Sequence, residues 1–135
     1  MTWGTEYRVG GTPVDIAGRR GGHRYLVELE WQRADPADNT AKLFRHLSGG
    51  VLDAGQVAVF QVFPGYYDLP RGGVSSKREN VESVGRVAAR SLDRVSYTPV
   101  EFDLDPPKRG GAWPDDWRSD ADRVADTLCA GIESR

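Results

Sequence analysis

The stretch that decides the fold is Thr12-Pro13-Val14-Asp15-Ile16-Ala17-Gly18-Arg19-Arg20-Gly21-Gly22-His23-Arg24-Tyr25-Leu26-Val27-Glu28-Leu29-Glu30-Trp31. Its second half, His23 to Trp31, is rich in β-branched, aromatic and aliphatic residues and reads as a strand. Its first half contains a shorter strand candidate, Thr12 to Ala17. Gly21-Gly22 between them suits a two-residue hairpin turn, because both positions tolerate positive φ. With that turn, Arg20 opposes His23, Ile16 opposes Val27 and Asp15 opposes Glu28. Side chains alternate along a strand, so Glu30 joins Glu28 and Asp15 on one face. Val14, Ile16, Val27 and Leu29 are expected to share the other.

Working outward, Asp35-Pro36-Ala37-Asp38 starts a helix, with Asp35 as N-cap and Pro36 at the first helical position. Leu43, Phe44 and Leu47 keep helical spacing, Asn39, Lys42 and His46 fall on a neighbouring face, and Ser48-Gly49-Gly50 ends the element. Gln56 to Phe63 is a nearly continuous apolar run, short enough for a central strand buried on both faces. A second helix follows the loop from Tyr66 to Ser76, with Val81, Val84, Val87 or Ala88, and Leu92 as its buried stripe. Tyr97 to Leu104 alternates as a strand, and Asp115 to Ile132 fits a last helix with Trp117, Ala121, Val124, Leu128 and Ile132 on one side. Upstream of the hairpin, Thr5 to Val9 looks like a further strand. The expected fold is α/β, a mixed central sheet flanked by helices in a single domain over residues 1–135.

Composition bounds the function. The chain has 135 residues, 39% of them hydrophobic and 28% charged, enough for one modest core. The single cysteine, Cys129, excludes disulfide scaffolds and cysteine-based zinc sites, and is most simply a small buried residue. No apolar run approaches the roughly 20 residues that cross a bilayer. The start has no basic segment followed by an apolar one, so a soluble, cytoplasmic protein without membrane partners is expected. A net charge of −2 argues against coating nucleic acid by charge alone.

Three carboxylates on one face of a strand pair repel each other unless a cation compensates. Oxygen donors favour a hard divalent ion, Mg²⁺ or Mn²⁺, which completes its shell with water and phosphate oxygens. That chemistry points to phosphoryl transfer or phosphodiester hydrolysis. Asp15 closing a short strand, followed by Glu28-Leu29-Glu30 on the paired strand, resembles the signature of the PD-(D/E)XK, or restriction-endonuclease-like, nuclease superfamily. The similarity runs from about Thr12 to Phe63.

The resemblance implies that Asp15 and Glu28 are metal ligands and that the Leu29 carbonyl completes the protein side of the shell. Glu30 stands where the motif has lysine, as in some restriction enzymes of the superfamily. A carboxylate there binds a second metal or helps to activate water, while Lys42 on the following helix could supply the positive charge. The implied function is a metal-dependent DNA endonuclease with catalytic residues Asp15, Glu28, Glu30 and Lys42. It would act as a homodimer to span both strands, with the apolar excess of the 113–132 helix as the contact. The alternative is a catalytically inactive nuclease-like module that binds protein or nucleic acid, and a third reading is a small α/β interaction protein. Arg86, Arg90 and Arg94 form a row on the second helix, and Lys77 and Arg78 lie near its N-terminus. These are the candidate phosphate contacts outside the carboxylate site.

Overall fold

The computed structural model describes residues 1–30, 36–50, 52, 55–104 and 111–133. Among them β2 (Thr12–Arg20) and β3 (His23–Leu29) form the expected hairpin, with Gly21 at φ 58° in the turn. The register is the one a diglycine turn dictates: Arg20 pairs with His23 and Ile16 with Val27. β1 (Thr2–Val9) adds antiparallel to β2 and forms an exposed edge.

The chain then crosses through α1 (Pro36–Ser48) to β4 (Gln56–Pro64), parallel to β3. A second crossing through α2 (Ser76–Ser91) leads to β5 (Val95–Phe102), parallel to β4. The five strands lie in chain order. α2 is capped by Ser75, whose hydroxyl accepts from the Arg78 N–H. α3 (Trp117–Glu133) completes the described elements. The N-cap role expected of Asp35, the packing of Trp31 and most of the loop after Leu104 lie outside the described residues.

β4 is buried on both faces, as its unbroken apolar run requires. Val57 and Val59 join Leu26, Leu43 and Phe44 on the side of α1 and α2. Ala58, Phe60 and Val62 join Tyr25, Val27 and Ile132 on the other, where Val124 and Leu128 of α3 also pack. The outcome is a mixed α/β sheet with helices on both faces. On α2 it is Ala88 that packs inward, whereas Val87 is exposed.

The structure corrects several expectations. Val14 and Ile16 do not share a face: Val14 packs with Leu26 and Leu43, and Ile16 with the α3 cluster. Regular alternation therefore fails between them. The β1–β2 register passes from Thr5↔Ile16 to Tyr7↔Val14, which sets Glu6 opposite Asp15, and Glu6 has φ 54°, a left-handed conformation that is costly for a residue with a Cβ. Leu29, expected in the core, is 39% exposed at the strand's end. Trp117 is also exposed, as is Cys129, because the α3 stripe that meets the sheet is Val124, Leu128 and Ile132. β5 begins at Val95, two residues before the expected strand, because Val95 pairs with Val57.

Candidate functional site

The three expected carboxylates stand near the point where the β2–β3 ladder ends. After Ile16↔Val27 the next hydrogen bond is not strand to strand: the Leu29 N–H donates to Asp15 Oδ2 at 2.7 Å. A side-chain oxygen thus satisfies a backbone donor as the regular ladder stops. This contact sets the Asp15 carboxylate beside the Glu28–Leu29 peptide. Glu28 is buried, 6% exposed, and alternation from Leu26 puts it on the α1 side of the sheet.

Glu30 is more deeply buried, at 1% exposed. Its backbone N–H donates to the Val62 carbonyl at 2.9 Å, which keeps the chain in register with β4 beyond the end of β3. Its side chain belongs to a polar network inside the α1/α2 layer. Gln61 Nε2 donates to Glu30 Oε1 and to Thr40 Oγ1, each at 2.8 Å. The Tyr97 hydroxyl donates to Gln61 Oε1 at 2.6 Å, and the Thr40 hydroxyl donates to the Pro36 carbonyl at 3.1 Å. Burial raises the Tyr97 phenol well above its ordinary value, and the nearby Glu82 and Glu30 carboxylates push the same way, against Arg86 and Arg78. Tyr97 is therefore a neutral donor throughout the physiological range.

The expected residues are only partly brought together. Asp15 meets the Glu28–Leu29 peptide, whereas Glu30 engages Gln61. Among the described residues no three His, Cys, Asp or Glu side chains converge as a group that could hold a metal ion. The three-carboxylate cage expected from the hairpin is thus not assembled. A hard cation still has a matching donor set, because one or two carboxylates with a carbonyl and water suffice for Mg²⁺. Asp15, Glu28 and the Leu29 carbonyl are all oxygen donors and lie within one residue of the Asp15–Leu29 contact. Lys42 stands on the exposed side of α1, its Nζ 3.0 Å from Asp38 of the same helix.

The network residues Gln61, Thr40 and Tyr97 were missed from sequence. One signal was available: Gln61 interrupts an apolar strand buried on both faces, and a buried amide needs partners. Arg78, expected to contact phosphate, is instead 5% exposed. Its guanidinium lies 4.8 Å from the centre of the Phe63 ring and faces Glu101, Glu82 and Asp68 at 3.4, 3.6 and 3.9 Å. Arg86, Arg90 and Arg94 remain exposed. Comparison with known proteins finds no matching family model, no matching curated protein and no matching solved structure.

Proposed function

We propose that this protein is a metal-dependent DNA endonuclease with a restriction-endonuclease-like fold. One observation carries the reading: the hairpin brings the Asp15 carboxylate to the Leu29 N–H, beside buried Glu28, at the end of a mixed sheet flanked by helices. Asp15, Glu28 and the Leu29 carbonyl would hold Mg²⁺ or Mn²⁺. When bound, the ion supplies charge for a phosphodiester oxygen and acidity to a water.

The chain's own residues do the rest. The Leu29 N–H fixes one oxygen of Asp15, which orients the carboxylate. Gln61 does the same for Glu30, whose carboxylate is the proton acceptor next along the strand. Lys42 would offset charge on the phosphate after leaving its exposed pair with Asp38, a pair of low energy, ~0.3–0.5 kcal/mol. A homodimer would reach both strands. The α3 stripe first expected as its contact packs on the sheet, which leaves exposed Trp113 and Trp117, 6.2 Å apart between ring centres.

A nuclease-like module that binds without cleaving is the second reading, favoured by Glu30 being held in the network and Lys42 by Asp38. Calorimetric Mn²⁺ titration and cleavage of linear, nicked and branched DNA with Mg²⁺ or Mn²⁺ test both. The endonuclease reading expects Mn²⁺ binding that Asp15→Ala abolishes, together with metal-dependent cleavage. Binding without cleavage selects the inert module. Equal or absent Mn²⁺ binding by the wild type and Asp15→Ala removes the metal site.

A further inference from the structure

At the opposite end of the hairpin from the carboxylates, two successive cross-strand pairs are basic on both sides: Arg19↔Arg24 and Arg20↔His23. Like charges directly opposed in a ladder are destabilising, so Arg19↔Arg24 carries a repulsion that no ion pair among the described residues relieves. Among the described residues Arg19, Arg20 and Arg24 form no ion pair. Asp93 lines one cavity with His23 and Arg24, but among the described residues it forms no ion pair with either. Arg94 lies at the same end of the sheet, since its carbonyl accepts from the Val57 N–H at 2.8 Å where β4 and β5 begin. The cations thus flank this end of the sheet, with Arg19 and Arg24 on one face, Arg20 and His23 on the other, and Arg94 at the start of β5. At about 4.8 Å per strand the end from β2 to β5 is roughly 15 Å wide.

We infer that this rim is a backbone-binding surface for DNA. Guanidinium groups spread along one end of a sheet suit a polymeric polyanion better than a single phosphate, since roughly 15 Å spans about four phosphates at 3.4 Å per strand. Beside Arg19 and Arg24, a cavity of about 230 Å³ is also lined by Thr2 and the exposed Tyr7, an aromatic residue next to the cations. His23 stacks on Tyr25 at this end, with ring centres 6.2 Å apart. The rim stands four residues, about 13 Å, along the strands from Asp15 and Glu28. The choice of DNA among polyanions rests on the proposed nuclease reading, but the rim requires no metal and no cleavage.

The test is fluorescence anisotropy of a labelled duplex of about twenty base pairs, in EDTA, between about 50 and 200 mM salt. Arg19→Gln/Arg24→Gln is expected to bind about tenfold more weakly, with the salt slope reduced by about two, while Arg19→Lys/Arg24→Lys keeps the slope. Circular dichroism confirms that both variants are folded. Wild-type affinity and slope in the Gln variant, or no duplex binding by the wild type, would overturn the inference. So would an equal loss in Arg86→Gln/Arg90→Gln, which would mark a general charge effect. Tighter wild-type binding to phosphatidylserine vesicles than to the duplex would also overturn it. Rim-dependent binding in EDTA with no cleavage in Mg²⁺ or Mn²⁺ would support the rim and sink the endonuclease.

Discussion

On the α3 side of the sheet the buried residues are Tyr25, Val27, Ala58, Phe60, Val62 and Val100, whereas on the α1/α2 side Leu26, Val57 and Val59 share the layer with Glu30, Gln61, Thr40 and Tyr97. The two faces use the same strands and differ in what they bury. Apolar burial needs only shape, whereas each buried polar atom needs a placed partner and contributes little net stability, about 1 kcal/mol per hydrogen bond. A chain selected for stability alone would make both faces like the first. The second face holds a carboxylate in a fixed orientation at the strand end where Asp15 and Glu28 also lie.

The largest effect is expected on the apolar face. Phe60 is 1% exposed and so close-packed that a Cβ on Gly131 would come within 3.0 Å of its ring. Phe60→Ala should cost about 3–5 kcal/mol in urea unfolding. Because the side chain packs on the face of β4 opposite the network, Mn²⁺ affinity of the folded fraction should be unchanged. A loss under 1 kcal/mol would show that the two faces do not differ as described.

Gln61→Leu attacks the other face. It removes the donor to Glu30 and the acceptor from Tyr97 while keeping volume, and should cost about 2–3 kcal/mol because a buried carboxylate loses a partner. Unlike Phe60→Ala, it should also change any activity that depends on Glu30, with kcat falling more than KM rises. A kcat effect no larger than that of Phe60→Ala would reduce the network to a structural role.

Much of this comparison was legible in the sequence, for reasons of range. The hairpin register followed from Gly21-Gly22, since a two-residue turn leaves one pairing, and the double burial of β4 followed from its apolar run. What failed needed rotation about an element's axis. Lys42 was read as the residue of α1 near the site, but Thr40 reaches Gln61 because it shares the buried stripe of Leu43 and Phe44. Arg78 likewise stands three residues before fully buried Val81, on the inward face of α2. The face switch between Val14 and Ile16 depends on the backbone at Glu6, which no side-chain pattern reports.

Two glycines sharpen the contrast on a smaller scale. A Cβ on Gly85 would meet the Tyr97 ring at 2.4 Å, and one on Gly18 would meet the Trp3 ring at 2.5 Å. Trp3 is 46% exposed and can swing aside, whereas Tyr97 is anchored to Gln61 between β5 and α2. Gly85→Ala should therefore destabilise by about 1–2 kcal/mol, despite the better helix propensity of alanine. Gly18→Ala should stay within about 0.5 kcal/mol. Equal melting shifts for the two variants would mean that the Tyr97 side is as free to yield as the edge.

The smallest effect has the most specific signature. Tyr97→Phe removes one hydrogen bond and should cost about 1 kcal/mol at neutral pH. Its pH dependence follows from the sign of the shift. The folded chain holds the phenolic proton more tightly than the unfolded chain, whose phenol titrates near 10.0, so Tyr97 contributes full stability below that pH. Above it the unfolded state releases the proton first, and that contribution declines as pH rises toward the elevated folded value. In urea titrations the gap between wild type and Tyr97→Phe should be constant from pH 6 to 9 and narrow above 10. The exposed Tyr7 and Tyr66 are common to both proteins and cancel in the difference. A gap that stays level through the alkaline range would show that the phenol is not held neutral by the α1/α2 layer, and with it would go the distinction between that layer and the apolar face.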